Sequence, residues 1–182
     1  MVILVLGPNG SGKSAYAEKL ARDPRRGENH PFAVYYIAAM IPYGAEGLAR
    51  VEKHRKQREN MGFITVEKPF CVAEIPLPPE AAVLLEDVSN LLGNALFSRN
   101  RNESEDSVYQ DITDLCAKCR TAVLVSIGGL TPAPEYDGET RGYIEALNRL
   151  NRRLYGFADT VVIMRDGKPE IQKEKGTIHA LD

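Results

Sequence analysis

The sequence lacks a charge excess of either sign. Its 23 lysines and arginines against 25 aspartates and glutamates leave a formal charge of −2, too little to gather nucleic acid or an anionic membrane surface. Any basic site must be local, and no nucleic-acid partner is expected. No run approaches the ~18 apolar residues of a membrane span, and Met1-Val2-Ile3-Leu4-Val5-Leu6 lacks the charged flank and cleavage site of a signal peptide. A cytoplasmic protein is the expectation. Cysteine is scarce too: Cys71, Cys116 and Cys119 are an odd number, in a chain long enough to bury about 70% of its unfolded surface without covalent staples. Cys116-Ala117-Lys118-Cys119 has C-x-x-C spacing, but no second pair and no histidine pair completes a zinc site. At i, i+3 on a helix the two thiols would share a face and pack as small apolar groups.

What is present is an alternation of aliphatic runs and helical patterns, read as one domain over 1–182. Residues 2–6 form a continuous aliphatic run, the pattern of a strand buried on both faces of a parallel sheet. A helix at 13–22, a polar loop and a second apolar run at 32–39 follow. Residues 45–60 have the formers of an unusually basic helix. A short strand at 63–67 and a proline-rich extended connection at 68–79 lead to a buried strand at 81–85. Then come a helix at 88–97, a polar loop at 98–107, a helix at 107–119, a strand at 121–127 and a long loop at 128–140. Tyr143, Ile144, Leu147, Leu150 and Leu154 mark an amphipathic helix over 140–156. A strand at 160–164 turns at Asp166-Gly167 into a last strand near 170–172. The order predicts an α/β fold: a mainly parallel sheet, helices on both faces, right-handed crossovers and a C-terminal β-hairpin. Ligands of such sheets lie beyond the carboxyl ends of the strands, so the loops at 7–14, 39–45, 86–90 and 127–139 should converge on one edge.

The first of these loops carries the clearest chemistry. Gly7-Pro8-Asn9-Gly10-Ser11-Gly12-Lys13-Ser14 fits G-x-x-x-x-G-K-[ST] between a strand and a helix. Such a loop turns its backbone N–H groups onto phosphates, and the following helix adds its positive end. Lys13 would reach the β/γ-phosphates of ATP or GTP, and Ser14 would ligate Mg²⁺. A site of this kind also needs an acid at the end of a neighbouring buried strand. Glu86 and Asp87 supply it, although acids also suit the start of the next helix. A third group lies in the basic segment, where Arg50, His54 and Arg58 recur at i, i+4, i+8 on one face. Neighbouring cations favour a neutral imidazole, the form that attacks phosphorus, and they bind phosphate oxygens.

These features, in their order, resemble the bifunctional adenosylcobinamide kinase / adenosylcobinamide-phosphate guanylyltransferase family of cobalamin biosynthesis. The likeness runs from the loop and Ala17-Glu18-Lys19-Leu20 through Tyr36-Ile37-Ala38, Arg50-Val51-x-x-His54-Arg55-x-x-Arg58, Thr65-Val66-Glu67 and Leu84-Leu85-Glu86. It continues with Asn94 and with Leu147-Asn148-x-x-Asn151-x-x-Leu154 before Ala158-Asp159. The resemblance implies a P-loop NTPase fold with a RecA-like sheet, a homo-oligomer, and nucleotide and corrinoid substrates. It implies two reactions: phosphorylation of the aminopropanol hydroxyl of adenosylcobinamide, then transfer of GMP from GTP through a guanylyl-histidine. His54 holds the position of that histidine, with Lys13 as its catalytic partner. Arg50, Arg55, Arg58, Glu67 and Glu86 then join the loop at the nucleotide, and Ser14, Glu86 and Asp87 serve the metal. Two departures stand out. Pro8 and Gly10 replace a glycine and an arginine of the family loop, and Ile127-Gly128-Gly129-Leu130 stands where the family has Asn-Glu-Val-Gly. They leave as alternatives a P-loop kinase without guanylyl transfer and a non-catalytic nucleotide-binding regulatory module. The loop is also like that of transporter-type ATPases, but the Leu-Ser-Gly-Gly-Gln-like signature that class needs is absent.

Overall fold

Each long aliphatic run becomes a strand with no exposed face. β1 (Val2–Gly7) sends Ile3 and Val5 to one side of the sheet and Leu4 to the other, all three fully buried, as the two-residue period of a strand requires. A computed structural model describes residues 1–22, 33–42, 44, 45, 47, 49, 52, 56, 61–98 and 103–174. Among these, β1 is followed by α1 (Lys13–Ala21), β2 (Val34–Ala38), β3 (Phe63–Glu67) and β4 (Ala82–Glu86). Then come α2 (Val88–Phe97), α3 (Glu105–Ala117), β5 (Thr121–Ile127), α4 (Gly138–Phe157), β6 (Thr160–Arg165) and β7 (Lys168–Glu174). All seven strands join one sheet in the order β3-β2-β4-β5-β1-β6-β7. It is parallel throughout except for the β6–β7 hairpin. Ala17 and Leu20 of α1 cover one face with Ile3, Val5, Leu84 and Val123. On the other, α2, α3 and α4 pack Leu92, Ile112, Leu147 and Leu150 onto Leu4, Leu85 and Leu124. No helix among the described residues is long and apolar enough to cross a membrane.

Several ends differ from the sequence pattern, each for a local reason. α3 begins at Glu105 rather than 107, because Ser104 and Ser107 form a reciprocal cap. The Ser107 N–H donates to Ser104 Oγ at 3.3 Å and the Ser104 N–H to Ser107 Oγ at 3.1 Å. A serine where a glutamate or glutamine usually closes this box hides it. α3 also ends at Ala117, so Cys119 lies beyond the helix instead of on its face. Both thiols still pack against the core. Burial pushes them up, Cys116 to about 12 and Cys119 to about 11, which keeps them protonated and unreactive. α4 starts at Gly138, where Asp137 Oδ1 accepts the Thr140 N–H at 2.7 Å; the apolar spacing begins a turn later. β7 is longer than 170–172, since an exposed edge strand needs no apolar pattern.

The 68–79 connection contains a short 3₁₀ turn, Val72–Glu74, which the sequence shows only as prolines. Asp111 of α3 fastens it, its two oxygens accepting the Val72 and Ala73 N–H groups at 2.8 and 2.9 Å. Asp111→Ala leaves two amides without that acceptor and should cost about 2 kcal/mol. Urea denaturation, with the midpoint lowered at unchanged slope, is the check.

Candidate active site

The glycines of the loop after β1 answer three separate demands. Gly10 and Gly12 have φ of 76° and 80°, a region closed to most side chains. Gly12 precedes α1 with no side-chain cap, so the N-cap residue closes none of the first amides of that helix, the groups that bind anions at a helix start. Gly7 sits where a Cβ would lie 2.6 Å from Ser11 Oγ and 3.0 Å from Met164 Cβ. Lys13 is 7% exposed, and its Nζ donates to Pro8 O at 3.3 Å across the mouth of the loop.

The acid stands two strands away. β5 lies between β1 and β4, and α1 leans across it far enough to bring Ser14 to the end of β4. There Ser14 Oγ donates to Glu86 Oε1 at 2.6 Å. Burial, reinforced by the charge of Asp87, lifts Glu86 from 4.5 to about 7, against the opposing pull of the Ser14 hydrogen bond and of Lys13. Asp87 is also raised, by burial, and opposed by the Asn90 amide and Lys13. The two acids point to different tasks. Asp87 Oδ1 accepts the Asn90 N–H at 2.7 Å and caps α2, whereas Glu86 Oε2, like Ser11 Oγ, is buried without a hydrogen-bond partner among the described residues.

An orphaned carboxylate oxygen beside a serine hydroxyl is a donor set for a hard divalent cation, and the residues fit Mg²⁺ on that ground. Among the described residues no three His, Cys, Asp or Glu side chains form a cage. A cation at Ser14 and Glu86 would draw further ligands from phosphates and water, the usual habit of Mg²⁺.

The other loops do converge on this edge. Asn94 of α2 donates to Ala39 O at 2.7 Å and Pro69 O at 3.1 Å, tying the exits of β2 and β3 together. The Ala39 N–H in turn donates to Glu86 O at 2.9 Å. Asn148 of α4 donates to Leu130 O at 3.0 Å and Asn151 to Ile127 O at 2.9 Å, fixing the exit of β5. Asp159 takes the Val2 N–H at 2.9 Å at the opposite end of β1. The asparagines that contribute to the family resemblance are therefore loop fasteners. Asn151 carries a readable signal, since it interrupts the buried Leu147, Leu150, Leu154 stripe and so must bond inside. Ser89, Ser126 and Tyr143, which join the same hydrogen-bonded cluster, carry no such signal of a polar partner. Glu67 is exposed at the end of β3, in register with Ala38, which pairs with Glu86; it stands about 10 Å from the acid strand by strand spacing. Arg50, His54, Arg55 and Arg58 lie outside the described residues. In the same segment Glu52 and Lys56 are helical and pair at 3.7 Å.

A glycine-rich loop after β1, with its serine bonded to an acid on a strand once removed, defines a RecA-like P-loop nucleotide-binding protein of the α/β class. Residues 3–171 match the family model described as cobinamide kinase / cobinamide phosphate guanyltransferase (CobU), and the chain belongs to that family of transferases. No curated protein matches the sequence. Among solved structures, the flagellar accessory protein FlaH of Methanocaldococcus jannaschii is similar over 95% of this chain and 78% of its own, at 12% identity and a TM-score of 0.45.

Proposed function

We propose that this protein phosphorylates adenosylcobinamide with a nucleoside triphosphate and then transfers GMP from GTP to the resulting phosphate. The observation that carries the reading is the 2.6 Å contact of Ser14 with Glu86, whose second oxygen has no partner among the described residues. In the first reaction the substrate hydroxyl attacks the γ-phosphorus, the bond to the bridging oxygen breaks, the nucleoside diphosphate leaves and the hydroxyl proton is lost. Lys13 and the first amides of α1 take up the charge that develops on the phosphate oxygens. Ser14 and Glu86 would hold Mg²⁺, which supplies further neutralisation when bound; Asp87 serves the same end by holding the start of α2.

In the second reaction an imidazole nitrogen of His54 attacks the α-phosphorus of GTP and pyrophosphate leaves. An oxygen of cobinamide phosphate then attacks the phosphoramidate, freeing the histidine and forming the new diphosphate. Arg50, Arg55 and Arg58 steady the pyrophosphate, and Glu67 belongs to the nucleotide-binding set. Support for these roles comes from their place in the family pattern. A single domain working as a homo-oligomer in the cytoplasm is part of the same reading.

Incubation with α-labelled GTP should leave an acid-labile label on the wild type and none on His54→Asn, while His54→Asn still transfers the γ-phosphoryl group to cobinamide. A wild type that phosphorylates cobinamide but takes up no α-label is a kinase alone. One that does neither is a nucleotide-binding module.

A further inference from the structure

The end of β5 separates the two halves of the site, with β1 and the phosphate loop on one side and β4 with Glu86 on the other. Its last residue is held by both backbone groups. The Ile127 N–H donates to Ser89 Oγ at 2.8 Å, and the Ile127 carbonyl accepts from Asn151 Nδ2 at 2.9 Å. Ser126 Oγ donates to Asn151 Oδ1 at 2.7 Å. Its proton is thereby committed, so in the 3.4 Å approach of the Ser89 and Ser126 oxygens Ser89 is the donor. The result is a closed ring: Ile127 to Ser89, Ser89 to Ser126, Ser126 to Asn151, and Asn151 back to Ile127. Ser89, Ser126 and Asn151 are 3%, 0% and 7% exposed.

The ring is anchored at both ends. Tyr143 OH donates to the Ser89 carbonyl at 2.9 Å, and Ser89 follows Asp87 by two residues. On the other side the Gly128 N–H donates to Gly7 O at 3.1 Å. The strand ends press together there, for a Cβ on Gly128 would meet Leu6 Cβ at 3.2 Å and Gly7 N at 3.4 Å. A continuous run of bonds therefore spans the carboxyl ends of three strands, from the acid pair through Ser89, Ile127 and Gly128 to the first residue of the phosphate loop. Apolar side chains would fill the same space. A satisfied polar ring does more, because it admits one height and one register for Ile127.

We infer that Ser89 is a positioning residue that sets the spacing between the acid-bearing end of β4 and the phosphate loop, keeping Ser14 and Glu86 within reach of one cation on a bound nucleotide. It touches neither phosphate nor metal itself. The inference rests on the proposed role of Ser14 and Glu86 as the cation site, and it does not depend on the identity of the phosphoryl acceptor.

The test is equilibrium binding of a fluorescent ATP analogue, with Mg²⁺ and with EDTA, to wild type, Ser89→Ala and Tyr143→Phe. Wild type should bind more tightly with Mg²⁺. Ser89→Ala should lose about 10-fold of that gain, the scale on which supporting residues affect metal affinity, while its affinity in EDTA stays within about twofold of wild type. Tyr143→Phe removes only the outer anchor and should move the same way by less. Should Ser89→Ala fail to fold, Tyr143→Phe decides by the same criterion. The inference is overturned if the Mg²⁺-dependent gain is unchanged in a folded variant, if affinity falls equally in Mg²⁺ and EDTA, or if wild type shows no gain. A wild type that leaves cobinamide unphosphorylated sinks the function proposal and leaves these binding results standing.

Discussion

Glu86→Gln should melt at a higher temperature than wild type above pH 7 and lose its response to Mg²⁺. The sign follows from where the proton sits. In the folded chain Glu86 titrates near 7, against 4.5 for an ordinary glutamate. Between those two values the folded state keeps a proton that the unfolded state has released. Wild-type stability therefore falls as pH rises through this window, and the full deficit is present above it. At ~1.36 kcal/mol per pH unit the interval is worth about 3 kcal/mol. Glutamine stays neutral at every pH and keeps an oxygen to accept from Ser14. The melting curves should coincide near pH 4.5 and stand about 5–10 °C apart at pH 8, with the variant higher, on the scale for a chain of this size. Mg²⁺ with ATP should raise the wild-type melting temperature further than ATP alone, because the cation needs the deprotonated carboxylate. In the variant the two additions should give the same shift. A variant that melts lower than wild type at pH 8 would mean that the buried charge stabilises the fold, the reverse of what the raised pKa of Glu86 requires.

The parts of this fold that can be read from sequence are those in which a whole segment speaks. Five consecutive aliphatic residues after Met1 have no reading but a strand buried on both faces. The bounds of the helix at 88–97 are legible because Asp87 and the apolar spacing agree. Where a boundary depends on one side chain the signal fails: Ser107 completing a serine-only cap, Asp137 starting a helix before its apolar stripe, Cys119 falling just past a helix end. The site divides the same way. The phosphate loop is a motif of contiguous residues, and its geometry follows from φ limits on Gly10 and Gly12. The contact of Ser14 with Glu86 joins residues 72 apart and depends on α1 crossing β5, which needs the strand order as well as the motif. The ring of Ser89, Ser126 and Asn151 is less legible still. Its members lie on three elements and are individually common polar residues, and only the register of β5 brings them together.

Lys13→Met should carry the second large effect and should expose the electrostatic link between the two halves of the site. Methionine matches the buried stem of Lys13 and removes the ammonium, so the fold has no cavity to absorb. Nucleotide-dependent phosphoryl transfer should fall by about 10³-fold, since the charge that Lys13 supplies is needed most as the γ-phosphoryl group leaves. Stability gives the sharper reading. Lys13 holds down the pKa of both Glu86 and Asp87, so its loss removes an attraction that offsets the burial of their charges. At pH 8 Lys13→Met should therefore melt below wild type. In a Glu86→Gln background the penalty should shrink, because only Asp87 is left to lose a partner, and at pH 5 it should shrink in the background that keeps Glu86, as that residue takes up its proton. The four melting temperatures form a double-mutant cycle, and a coupling present at pH 8 and diminished at pH 5 is the expected result. Equal penalties in both backgrounds would mean that the lysine acts through its hydrogen bond to Pro8 O and not through the acids, and that the loop and the acid strand do not share one field.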